Sequence, residues 1–171
     1  MRRRSLIAVT AGLTAPGLAH PQSSTTGWTS DRPVRLVVPF TAGSGTDTIG
    51  RMIAAQLGRG LGGTTVMVEN RAGAGGTVGA LHAAQQPPDG GALLLGVLST
   101  HAVNPHLMRD LQYDPFRDFT PILAYCRARA ELAVRPQLGP RNMQEFVALA
   151  RTRSVSIASP GTGTTGHLGH V

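Results

Sequence analysis

The sequence predicts an α/β protein built on a parallel sheet covered by helices. Three observations carry this. Short apolar runs alternate with helical patterns in β-α-β-α-β order. Gly is plentiful, 22 of 171 residues, while aromatics are few, so many tight turns are expected. Three Gly-rich loops, 41–46, 73–76 and 161–166, each follow a strand candidate or its end. Open α/β sheets place ligands at those ends.

The first strand is expected over 34–39, where Val34, Leu36, Val37 and Val38 make a nearly unbroken apolar run. Such runs suit a strand covered on both faces. Pro39-Phe40 ends it and leads into the small-residue loop 41–46. Asp47 then opens a helical pattern through Ile49, Met52, Ile53 and Leu57, predicting a helix over 47–59. A strand that runs through a Gly-rich loop into a helix gathers free backbone N–H groups and the positive end of the helix dipole. That spot suits a carboxylate or phosphate.

A second strand is expected over 64–69 and a second helix over 75–86. Pro87-Pro88-Asp89-Gly90 is a turn that stops this helix before a third strand over 91–98. Residues 101–108 suit a short helix. Tyr113 to Phe119 reads as a turn, with Tyr113 and Phe116 as packing anchors. Glu69-Asn70-Arg71 is expected to fix the turn after the second strand by local hydrogen bonds. Further strands are expected over 120–125, 130–135 and 154–159, with a helix over 142–152. Asn142 caps that helix, with Glu145 three residues on completing a capping box. Met143, Phe146, Val147 and Ala150 fall on one face.

All 16 basic residues are Arg, and the formal charge is +7. Apart from Arg2-Arg3-Arg4 they are scattered, without interleaved aromatics, so the footprint of a nucleic-acid binder is missing. That triplet instead begins an export signal. Leu6 to Leu18 form a mild apolar stretch, too short to span a bilayer, and Gly17-Leu18-Ala19 offers a cleavage site. Arg3-Arg4-Ser5-Leu6-Ile7 also resembles a twin-arginine leader. Residues 1–19 are therefore expected to be a signal peptide and 20–31 a polar linker, with no membrane insertion once the leader is removed. Cys126 is the only cysteine, so no internal disulfide forms; a buried small-residue role is expected for it.

Motifs for chemistry are sparse. Gly161, Gly163 and Gly166 match G-x-G-x-x-G, yet they do not follow the first strand, and no ribose-binding acid comes after them. The first loop has the wrong glycine spacing, although Glu69 ends the second strand as such an acid would. No Lys exists for a nucleotide-phosphate loop, and Ala42 precedes Gly43-Ser44-Gly45 where a nucleophile elbow needs Gly. His167 and His170 lack Asp, Glu or Cys nearby, so no metal site is expected. No catalytic residue and no cofactor are assigned.

A run of words in fixed order adds a family resemblance. They are Arg35 to Phe40, Gly43-Ser44-Gly45-Thr46-Asp47, Val68 to Gly76, and Pro88-Asp89-Gly90 before Leu93 to Gly96. Then come Thr100-His101-Ala102-Val103-Asn104-Pro105, Tyr113-Asp114-Pro115, Asp118 to Pro121, and Ala158 to Leu168. Over residues 32–168 the chain resembles the substrate-binding proteins of tripartite tricarboxylate transporters, the Bug receptors. The resemblance implies a periplasmic-binding-protein-like, Venus-flytrap fold with a cleft between two α/β lobes. The first lobe, 32–127, is nearly complete and the second, from 128 to 171, is partial. It implies a periplasmic, monomeric receptor that captures a small organic carboxylate for membrane transporter subunits.

Carried onto this chain, the first-lobe contacts are Phe40, Thr41, Gly43, Ser44, Gly45, Thr46 and Asp47. Asp47 is expected to cap its helix and order the loop, since its carboxylate would repel an anion. The second-lobe contacts are Ser159, Gly161, Gly163, Thr164, Thr165 and His167. Thr100, His101 and Asn104 line the cleft, and Gly73 to Gly76 contribute backbone groups. For His101, a packed or capping role competes with a cleft role. Relatives read on well past His167-Leu168, so the chain is expected to be truncated. Two alternatives stand beside the receptor: a Rossmann-type nucleotide-dependent oxidoreductase and a non-functional receptor remnant.

Overall fold

The computed structural model describes residues 31–129 and 131–169. The expected signal peptide, and the linker up to residue 30, lie outside them. β1 (Val34–Val38) is the centre of a three-stranded parallel sheet, with β2 (Val66–Asn70) on one side and β3 (Ala92–Leu94) on the other. Its central place follows from its composition. Val34, Leu36, Val37 and Val38 are all buried, which only a strand with covered faces permits.

Between β1 and β2 runs α1 (Gly45–Gly60), and between β2 and β3 runs α2 (Thr77–Ala84), preceded by a 3₁₀ turn at Ala74–Gly76. Leu36, Val38, Ala54 and Leu95 form the core, backed by Ile53, Val66, Val68, Leu93 and Tyr125. Gly50 lets α1 close on the sheet: a Cβ there would lie 2.9 Å from Val38 Cγ2. On the other face Arg35 Nη2 donates to Gln86 Oε1 at 2.5 Å, tying β1 to the end of α2. A π-turn at Ser99–Val103 continues into α3 (Asn104–Leu107).

The second half is different. α4 (Met143–Thr152) forms as expected, and Asn142 Oδ1 accepts from Glu145 N at 2.9 Å. The capping box closes by a variant route: Glu145 accepts from Arg141 N and from Asn142 Nδ2. Yet none of its residues is buried, and the apolar face carrying Met143 and Val147 is exposed. The strands expected over 120–125, 130–135 and 154–159 do not form among the described residues. Ile122 and Leu123 are 75% and 71% exposed. Alternation and apolarity give a segment the character of a strand, but a strand also needs a partner to take its backbone hydrogen bonds. The third strand, expected over 91–98, shortens for the same reason to the three residues that pair with β1.

Two packing expectations are corrected here. Phe116 is 83% exposed, and Phe119 takes its place, with its ring centroid 5.2 Å from His101 and 6.0 Å from Tyr113. Tyr113 is buried as expected, and its hydroxyl donates to Thr100 O at 2.7 Å. Cys126 is exposed because the extended segment that carries it has no covering element among the described residues. Its neighbour Tyr125 turns inward and donates to Gly96 O at 2.8 Å.

Candidate functional site

The first-lobe loop leaves β1 and turns at once into α1. Ser44 is the N-cap of this helix, and its Oγ accepts from Asp47 N at 3.2 Å. Ser44 N donates to Thr41 O at 3.2 Å, closing the turn. Gly43 sits at φ +80°, where an L side chain is strained, and its N–H donates to Asp47 Oδ2 at 2.8 Å. Gly45 and Thr46 are the first two helical residues, so their N–H groups have no acceptor within the helix. The loop is open above: a Cβ on Gly43 or Gly45 would meet nothing within 4 Å.

Asp47 is buried, and its carboxylate is surrounded by donors. Arg51 Nε lies 3.0 Å from Oδ2 and Asn70 Nδ2 lies 2.9 Å from Oδ1. The Arg51 bond first, then the Gly43 N–H and the Asn70 amide, hold its pKa down to about 2. Its charge is therefore turned inward and compensated, as its expected ordering role requires. The expected capping role falls instead to Ser44: Asp47 is the third helical residue, and its carboxylate reaches back to Gly43 N–H. Ser44 Oγ accepts the cap bond, which leaves its own hydrogen for another acceptor.

The second Gly-rich loop repeats this scheme. Thr164 caps α5 (Thr165–Leu168), with its Oγ1 accepting from His167 N at 3.3 Å. Thr164 N donates to Gly161 O at 3.2 Å, and Gly163 sits at φ +79°. Gly163 N donates to His167 Nδ1 at 3.4 Å. Here the cap hydroxyl is also a donor, to Gly161 O at 2.6 Å. Ser159 and Thr165 are exposed and Thr164 is buried.

Between the loops lies a buried polar floor. Thr100 and Asn104 are fully buried. Asn104 Nδ2 donates to Gly75 O at 3.3 Å, while Oδ1 has no partner among the described residues and faces Gly163. Thr162 O faces Gly75 in turn, so neither glycine has room for a Cβ. The contacts of Gly161 and Gly163 thus run to Gly75, Asn104 and Leu107. Phe40 and Thr100 meet at Gly76, where a Cβ would lie 3.7 Å from Phe40 Cζ and 2.9 Å from Thr100 Cγ2. In this way Phe40, Thr100, Asn104 and Gly161 gather around the 73–76 loop, Gly163 faces Asn104, and Thr164 is bonded within its own loop. Thr41 to Asp47 form a second cluster beside Phe40.

His101 points elsewhere, against Phe119 and Gly96. Thr100 Oγ1 accepts from Val97 N, donates to Val97 O, and lies 2.8 Å from His101 Nδ1. The hydroxyl has one hydrogen, so the network closes when His101 Nδ1 carries the proton and donates. Burial lowers the His101 pKa, favouring this neutral ring.

Asn70 is the residue that sequence reasoning misplaced. Glu69 and Arg71 do pair locally, with Arg71 Nε 2.8 Å from Glu69 Oε1. Asn70 instead reaches across to Phe40 O at 3.1 Å as well as to Asp47. The signal that places it is the strand register, in which Asn70 lies beside Val38, the last residue of β1.

The sequence matches the tripartite tricarboxylate transporter family receptor over residues 49–170. The chain belongs to this receptor family. Among solved structures, it is similar to R. palustris Rpa4515 with adipate, at 36% identity and a TM-score of 0.76, covering 81% of this chain and 46% of that one. MatC from Rhodopseudomonas palustris with bound malate gives 35% identity and a TM-score of 0.67, covering 79% and 46%. The periplasmic binding protein BugD gives 33% and 0.69, covering 81% and 46%. The expected periplasmic-binding-protein-like α/β fold agrees with these likenesses. This receptor-family chain spans about half the length of the curated relatives it matches. Among the described residues, no helix is long and apolar enough to cross a membrane.

Proposed function

We propose that this chain is a periplasmic solute receptor that captures a small organic carboxylate for the membrane subunits of a tripartite transporter. It acts as a monomer and releases its ligand unchanged. Residues 1–19 export it and 20–31 link the leader to the first lobe, 32–127; residues from 128 onward belong to the second lobe. The carboxylate sits over the first-lobe loop, bonded by the N–H groups of Gly45 and Thr46 and the hydroxyl of Ser44. Thr41 and Phe40 flank it. The second loop, from Ser159 through His167, closes from the other side over Thr100 and Asn104.

One observation carries this reading. The start of a 16-residue helix presents N–H groups without helical acceptors beneath open space, in a receptor family with solved relatives that hold adipate and malate. Backbone N–H groups and a helix dipole bind an anion without a cationic clamp. The neighbouring carboxylate of Asp47 does not oppose this, because its oxygens are turned to Gly43, Arg51 and Asn70.

The test is calorimetric titration of the protein with adipate, malate and NAD. Binding of a carboxylate with no response to NAD is expected. A response to NAD alone would return the oxidoreductase reading and remove this one.

A further inference from the structure

We propose that Asn70, at the end of β2, is the positioning residue of the first-lobe anion loop: its amide ties Phe40 and Asp47 to the sheet, so that the N–H groups of Gly45 and Thr46 stay turned toward the ligand. The ligand part of this statement rests on the receptor reading above. The structural part does not.

Asn70 Nδ2 has two hydrogens, and both are used. One goes to Phe40 O at 3.1 Å, where the chain enters the loop, and the other to Asp47 Oδ1 at 2.9 Å, in the first turn of α1. A single amide therefore spans the loop from entry to exit. Its orientation is fixed by the same network, because a flipped amide would set its carbonyl against two acceptors. Oδ1 is left facing Arg51 Nη2 at 3.4 Å.

The other partners of Asp47 differ in kind. Gly43, Ser44 and Arg51 all belong to the loop and to α1, and they move with that unit. Asn70 comes from the sheet, beside Val38 in the parallel register. Of the hydrogen bonds to Asp47, it is the one that comes from the strands, beside the apolar packing of α1 on the sheet. No other uncharged residue of its size offers two hydrogens from one atom at this reach. Aspartate has the same shape, no donor, and a charge that would face Asp47.

The experiment compares the wild-type chain with Asn70→Ala, Asn70→Asp and Arg51→Ala. Amide exchange of Gly43 and the titration of the Asp47 carboxyl are followed by NMR, and adipate and malate affinities by calorimetry. All three variants remove a donor from Asp47, so its midpoint should rise in each. Only the Asn70 variants should loosen the loop. Gly43 exchange is expected to accelerate by at least ~10-fold in both of them, and to stay within about 3-fold of wild type in Arg51→Ala. Adipate or malate binding should weaken about 10-fold in step with that exchange. Asn70→Asp keeps the side-chain volume, so a loss there is not a packing effect. Equal exchange in Arg51→Ala and Asn70→Ala would make Asn70 one donor among several and overturn the proposal. So would wild-type exchange in Asn70→Asp. If the wild-type chain binds neither adipate nor malate, the receptor reading fails, while Gly43 exchange still decides the role of Asn70.

Discussion

The loops at 41–47 and 161–167 are the same device on two different mounts. Each has a hydroxyl N-cap, Ser44 or Thr164, bonded to the N–H three residues on. Each places a left-handed glycine before the cap, Gly43 at +80° and Gly163 at +79°. In each, the side chain at the third helical position reaches back to that glycine's N–H, Asp47 in one and His167 in the other. The mounts differ. The first loop leaves a buried strand and enters a 16-residue helix, and it is braced by Asn70. The second leaves an unpaired extended segment, enters a four-residue helix, and rests on Gly75 and Asn104. Local sequence decides the cap, while neighbours decide what holds it.

The strongest way to break the comparison is to add one methyl group at each left-handed glycine. Gly43→Ala meets open space, so its cost is backbone strain alone, about 1–2 kcal/mol. Gly163→Ala carries the same strain and also drives a Cβ into the buried Asn104, with Leu107 Cδ2 3.3 Å away. Its effect should be larger, about 2–4 kcal/mol for the contact between the second loop and the 73–76 loop. Amide exchange over 161–168 and at Gly75 measures it. Comparable effects at the two glycines would mean that the second loop does not rest on Asn104.

The contrast between these loops also explains what the sequence could reveal. Helices α1 and α4 were legible because cap and periodicity are local: Asn142 with Glu145, and the apolar steps from Ile49 to Leu57. β1 was legible because a strand buried on both faces has a nearly unbroken apolar run, here interrupted by Arg35 alone. The segments 120–125 and 154–159 have the same local character without a ladder partner among the described residues. Asn70 has the local character of a turn residue, while its partners are 23 and 30 positions away. The loops themselves stood out as glycine patterns, but the buried floor of Thr100 and Asn104 rested on family likeness alone.

Acid sharpens the difference in a second way. The pKa of Asp47 is lowered from 3.8 to about 2, so the folded loop binds this proton more weakly than the unfolded chain does. Its stabilisation is therefore complete above about pH 4 and is lost as the pH falls through about 2. Glu69, Asp89 and Asp114 are lowered as well and act in the same direction. Gly43 N–H protection should fall across this window as its acceptor is neutralised. Protection that is flat down to pH 2 would show that Gly43 is held by something other than Asp47.

The smallest expected effect removes the two caps. Ser44→Ala and Thr164→Ala each delete one side-chain acceptor, a loss of about 1 kcal/mol in either helix. The consequence depends on the mount. α1 buries Gly50 and Ala54 against the sheet, so Ser44→Ala should fray its first turn, lower thermal stability slightly and leave the helix in place. α5 has four residues and none of them is buried. It has no packing to carry it once the cap is gone, and a helix this short does not persist on its own. Thr164→Ala also removes the hydroxyl that donates to Gly161 O. Amide exchange at Leu168, whose N–H donates to Thr164 O at 3.0 Å, should then approach that of an unfolded chain, with little change in overall stability. A Thr164→Ala chain that keeps Leu168 protected would show that the contact with Gly75 and Asn104, rather than the cap, orders the second loop.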